Sequence, residues 1–134
     1  MKKTTISEHE TILFGEEIIN KFSEINLFII KGKVGVGKTV VVRGIARGLN
    51  ITEQIKSPSF AIKNHYKNLV HYDLYFADKL KSKEFLTLLD QDLEENIVVI
   101  EWGEKISQKY LRDYVLIDIK INQNGHRTIR VKKV

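Results

Sequence analysis

The chain has 134 residues, 43% hydrophobic and 29% charged, with one proline, eight glycines and no cysteine. That balance suits one domain over residues 1–134 with its own core, and it excludes disulfide scaffolds, thiolate zinc centres and cysteine nucleophiles. Apolar runs fall far short of the ~20 residues of a membrane helix, and the polar start Met1-Lys2-Lys3-Thr4-Thr5 carries no secretory core, so a soluble cytoplasmic protein with no membrane contact is expected.

The net charge of +5 is unevenly spread. Residues 1–118 are balanced, and the excess comes from Lys120, Arg127, Arg130, Lys132 and Lys133, with no acid after Asp118. The basicity is a local patch rather than a property of the whole surface.

In chain order, Ser7-Glu8-His9-Glu10 has the form of a capping box. It opens a helix over about 8–23, with Ile12, Gly15, Ile18, Ile19 and Phe22 at helical spacing. Leu27-Phe28-Ile29-Ile30 is apolar throughout, as in a strand covered on both faces. A glycine-rich loop leads to a second helix from Val40 to Leu49. Short strands follow at Phe60-Ala61-Ile62 and Leu69 to Leu74, joined by a turn at Lys67-Asn68. Residues 82–93 predict a helix, Ile97 to Ile100 a buried strand, and Lys105 to Leu111 a short helix. Asn124-Gly125 between the runs Tyr114–Ile121 and Arg127–Val134 is a hairpin signal. Helices alternating with buried strands predict an α/β fold, and with the pattern G-x-x-x-x-G-K-T at 32–39 between a strand and a helix the expectation is a P-loop NTPase-like mixed sheet flanked by helices, with a C-terminal antiparallel β-hairpin.

The chemistry centres on Gly32-Lys33-Val34-Gly35-Val36-Gly37-Lys38-Thr39, which satisfies G-x-x-x-x-G-K-[ST] between a strand and a helix. Glycines let backbone amides curl around phosphates, and the helix N-terminus adds partial positive charge. Gly35, Val36, Gly37, Lys38, Thr39 and Val40 are thus the expected nucleotide contacts. Lys38 reaches the β- and γ-phosphates, and the Thr39 hydroxyl ligates magnesium. Glu101 follows the strand Ile97–Ile100 at the sheet edge where ligands collect, making it the candidate second magnesium ligand. Asp73 shares a strand face with His71 and is a candidate for orienting water or metal, or for a bond to His71 itself. Lys38, Asp73 and Glu101 form the expected catalytic set. Ser57-Pro58-Ser59-Phe60 lies where P-loop proteins place a γ-phosphate sensor, but it also reads as an ordinary turn. Trp102 is either core or a wall of the nucleotide site.

The P-loop, Ser-Pro-Ser-Phe at 57–60, His71-Tyr72-Asp73-Leu74-Tyr75 and Ile100-Glu101-Trp102 together resemble the TsaE (YjeE) family. These are small bacterial P-loop ATPases of tRNA threonylcarbamoyladenosine biosynthesis. The resemblance implies ATP and Mg2+ as cofactors, with Thr39 and Glu101 on the metal and Asp73 in the catalytic centre. It implies TsaB and TsaD as partners, tRNA met only through that complex, and no DNA. It further implies Thr11 near the adenine and an arginine of the closing strands, here Arg130, near the nucleotide. Ser59 stands in place of a threonine, Phe76 of an arginine and Gly103 of a proline, and the helix near 82–93 lacks an expected glycine. A small-molecule kinase and a non-catalytic nucleotide-sensing adaptor would use the same loop. The basic closing strand is either a soluble edge or a contact with an acidic partner, tRNA or nucleotide.

Overall fold

Leu27–Lys31 (β2), Leu69–Asp73 (β4) and Ile97–Glu101 (β5) are short strands whose residues are almost all buried. Together with Tyr114–Ile121 (β6) they pair in parallel in the order β6-β2-β5-β4. Strands buried on both faces are the form that parallel pairing requires. The computed structural model of the chain describes residues 1–58, 62–75, 82–106 and 108–134. Antiparallel strands extend the sheet at both ends, Lys63–Tyr66 (β3) beyond β4, and Arg127–Lys133 (β7) then Lys2–Thr5 (β1) beyond β6. The fold is the mixed α/β sheet expected, and the first strand of the closing hairpin is built into its parallel centre.

Helices Glu8–Lys21 (α1) and Lys38–Gly48 (α2) cover one face of the sheet around Phe14, Phe28, Ile45 and Ile117. The helix Ser82–Leu93 (α3) covers the other through Phe85 and Leu89, which pack with Tyr72 and Ile100. The Tyr72 hydroxyl also donates to Asp92 of α3, and Lys63 pairs with the same carboxylate at 3.2 Å. Burial and that carboxylate push the Tyr72 pKa upward. At the start of α1 the capping box forms: Ser7 Oγ accepts from the Glu10 amide at 3.1 Å, and Glu10 accepts from the Ile6 amide at 3.2 Å. Among the described residues no helix is long and apolar enough to cross a membrane.

Three segments differ from the sequence reading. The strand β1 was not anticipated, because Lys2-Lys3-Thr4-Thr5 has no apolar alternation and owes its extended form to pairing with β7. Lys105 to Leu111 is not one helix; Gly103–Lys105 and Gln108–Tyr110 form separate 3-10 turns, the usual fate of a segment too short to support an α-helix. The strand expected at Phe60-Ala61-Ile62 lies mostly outside the described residues, and β3 begins only at Lys63. Ser59 and Phe76 also lie outside them.

The close crossing of α1 and α2 depends on Gly15 and Gly44. A Cβ at Gly44 would lie 2.2 Å from the Ile12 carbonyl oxygen and 2.8 Å from the Gly15 Cα. Gly44→Ala gains roughly 1 kcal/mol of helix propensity, but the backbone clash forces the helices apart. The expected net result is a loss of about 2 kcal/mol or more in chemical denaturation. An unchanged midpoint would show that the helices re-space freely.

Candidate functional site

The strand order decides what meets at the C-terminal edge of the sheet. β5 lies between β2 and β4, so Glu101 stands beside Ile30 on one side and Asp73 on the other. The chain leaving β2 enters the loop Gly32–Gly37 and turns into α2 at Lys38. Gly35 and Gly37 hold φ angles of 81° and 104°, a region that side chains rarely adopt. Gly37 caps α2 without any side-chain hydrogen bond, which leaves the first-turn amides to a ligand.

An open cleft of about 460 Å³ lies over this edge. Gly35, Gly37, Lys38, Thr39, Asp73 and Glu101 all line it, together with Val40 and Trp102. The Thr39 hydroxyl donates to Glu101, 3.1 Å from Oε2 and 3.3 Å from Oε1. Glu101 is only 3% exposed, and its Oε2 also receives His71 Nε2 at 2.5 Å. Asp73 accepts from Ser57 Oγ at 3.2 Å and from the Tyr75 amide at 3.0 Å. Lys38 Nζ donates to the carbonyls of Gly32 and Lys33 at 2.6 and 2.8 Å, and lies 4.3 Å from the centre of the Trp102 ring. Burial lowers the Lys38 pKa, and the carboxylates of Glu101, Asp73 and Glu104 oppose that shift.

Trp102 reaches this position through a left-handed turn with φ 62°, uncommon for a bulky residue. The turn is fixed on both sides: the Trp102 amide donates to Ile30, and the Glu101 carbonyl accepts from Leu74. The indole ring also packs against Tyr75, with centroids 5.1 Å apart. Backbone strain held this firmly belongs at a functional edge.

Three expected site residues are not among those lining the cleft. The Val36 side chain is 5% exposed and packs into the α1/α2 core, while its carbonyl accepts from Arg127 Nε. Thr11 is fully buried; its hydroxyl accepts from Thr5 Oγ1 at 2.7 Å and donates to the Ser7 carbonyl, away from the cleft lining. Arg130 is exposed and does not line the cleft. The arginine that does is Arg127, whose Nε donates to the Val36 carbonyl at 2.7 Å and whose side chain lies against Gly37. The signal was in the alternation: Arg127 shares the strand face of buried Ile129 and Val131, and Arg130 has the opposite one. Ser57 also lines the cleft, through its bond to Asp73.

The oxygen donors of Thr39 and Glu101 suit magnesium, which binds few protein ligands and keeps waters and phosphate oxygens. Among the described residues no group of three or more His, Asp or Glu side chains could cage a metal by itself.

A parallel sheet whose glycine-rich loop opens a helix at its C-terminal edge defines a P-loop fold. The structure superposes on the crystal structure of YdiB from Bacillus subtilis with a TM-score of 0.80, at 24% identity, covering 100% of this chain and 85% of that one. The sequence profile of the threonylcarbamoyl adenosine biosynthesis protein TsaE matches residues 5–129, and the chain belongs to the TsaE family. Relatives named tRNA threonylcarbamoyladenosine biosynthesis protein TsaE occur in Treponema pallidum and Rickettsia typhi. The first is 29% identical, covering 98% of this chain and 99% of its own. The second is 31% identical, covering 97% and 93%.

Arg127 and Arg130 are separable by titration. Arg127→Ala is expected to weaken Mg-ADP binding about tenfold or more, the value of a charged hydrogen bond lost at a phosphate site. Arg130→Ala should leave the affinity unchanged, with Trp102 fluorescence as the readout. The reverse ranking would mean that the exposed face of β7 carries the nucleotide contact.

Proposed function

We propose that this chain binds ATP with magnesium and hydrolyses it, as a cytoplasmic ATPase working with TsaB and TsaD on tRNA. One observation carries the reading: the buried Glu101 carboxylate is hydrogen-bonded to Thr39 in the first turn of the helix that the P-loop opens. A hydroxyl and a carboxylate paired at the start of that helix are the donors that magnesium beside a phosphate uses, which supports the reading.

The roles follow from the contacts. The loop amides and the start of α2 bind the phosphates. Lys38 has three protons; two go to loop carbonyls, and the third is available to the β/γ-phosphate oxygens. Arg127, which also lines the cleft, adds a second cation. Thr39 and Glu101 are the residues that would hold magnesium, which would supply charge neutralisation at the phosphates. Asp73, kept in place by Ser57 and the Tyr75 amide, accepts a hydrogen bond from the attacking water. Trp102 covers Lys38 and restricts water around it.

The family supports the pathway, and the charge distribution supports a partner-facing surface. Lys2, Arg130 and Lys132 are exposed on the outer strands, with Lys2 directly opposite Arg130. Such a face accelerates encounter with an acidic surface.

Steady-state hydrolysis assays test the reading. Lys38→Ala should lose about ten- to hundredfold in nucleotide affinity, turnover or both. Glu101→Gln should abolish most turnover, about 100-fold or more, and alter its magnesium dependence. Asp73→Asn should cost at least about 100-fold in turnover with a smaller effect on binding. Wild-type turnover in all three would end the ATPase reading. A second assay adds purified TsaB and TsaD. Stimulation should fall in a Lys132→Glu/Lys133→Glu variant at low salt, with the defect shrinking as salt rises. Full stimulation in that variant would return those lysines to a solubility role.

A further inference from the structure

The histidine behind the cleft is more constrained than packing requires. His71 is fully buried in β4, and its Nε2 lies 2.5 Å from Glu101 Oε2. Its other ring nitrogen, Nδ1, has no hydrogen-bond partner among the described residues. A carboxylate only accepts, so the ring proton sits on Nε2. A leucine or methionine would fill the same volume with no unpaired polar atom, so packing alone does not account for a histidine here.

The two oxygens of Glu101 are not equivalent. Oε2 accepts from both His71 and Thr39, whereas Oε1 has only the 3.3 Å approach of Thr39. Glu101 comes from β5, Thr39 from α2 and His71 from β4, so three elements fix one carboxylate.

We propose that His71 is the positioning residue of the metal site: as a hydrogen-bond donor it occupies Glu101 Oε2, fixes the carboxylate plane and leaves Oε1 as the oxygen available to a divalent cation. The inference rests on the magnesium–nucleotide reading given above. Hydrogen-bonded supports of ligating groups typically contribute 10- to 100-fold in metal affinity, and a fully buried bond resists screening by salt.

The test measures ADP affinity by Trp102 fluorescence and by calorimetry, with magnesium and again with a chelator. Magnesium should tighten ADP binding by the wild type. In His71→Leu that increment should fall about 10- to 100-fold, while ADP affinity under chelator stays at the wild-type value. His71→Gln, whose amide nitrogen reaches the Nε2 position, should recover most of it. An increment retained in His71→Leu overturns the proposal, as does equal weakening with and without magnesium, the mark of a purely structural histidine. A wild type with no magnesium increment at all removes the metal reading and this inference with it. Should the leucine variant not fold, the ring of the wild-type protein decides: nitrogen-15 spectra should show a proton on Nε2. A proton on Nδ1 alone would overturn the proposal.

Discussion

A single buried anion organises this molecule. Glu101 is 3% exposed, and an ionised carboxylate at that depth is tolerated only with donors close by. The donors come from α2 through Thr39 and from β4 through His71. Both depend on β5 being the inner strand between β2 and β4. Exchanging β5 with an outer strand would keep the P-loop sequence intact and strand the carboxylate far from it. Fold and site are therefore one problem, joined at the last residue of one strand.

The cations of the cleft are held by a different balance. Lys38 is buried and its charge disfavoured, three nearby carboxylates oppose that effect without cancelling it, and the indole face of Trp102 adds a cation–π contact. The loop itself is constrained twice over. Gly35 needs a positive φ, but open space surrounds the position of a Cβ. Gly37 needs both the conformation and the room, since a Cβ there would lie 2.7 Å from Arg127 Nε. One glycine serves the turn, and the other also admits a guanidinium.

What could be read from sequence follows how local each feature is. The P-loop is a contiguous pattern, and Glu101 follows an unmistakable buried strand, so both stand out in the chain alone. The hairpin and the capping box at Ser7 are local signals too. His71 was placed on a face with Asp73, yet its partner lies 30 residues away and is set by the β4–β5 register. Arg127 contacts a carbonyl 91 residues distant; nothing near it in sequence announces that, except an arginine on a face that is otherwise apolar. Thr11 shows the converse. Its hydroxyl is taken by Thr5 of β1, a strand that exists only because β7 lies beside it.

The strand β7 joins two regions that the sequence keeps apart. On the face shared with Ile129 and Val131 it extends Arg127 to the Val36 carbonyl. On the opposite face it presents Arg130 and Lys132 to solvent. The same strand therefore holds the glycine-rich loop through Arg127 and carries the exposed cations, within six residues of chain. β6, its hydrogen-bonded neighbour, is also paired in parallel with β2, the strand that feeds the loop. The strand that carries the exposed cations is thus tied to the loop at two places, the Arg127 bond and the β6–β2 ladder. Arg127 and Arg130 stand on opposite faces of β7, so one strand lines the cleft with one cation and presents another to solvent.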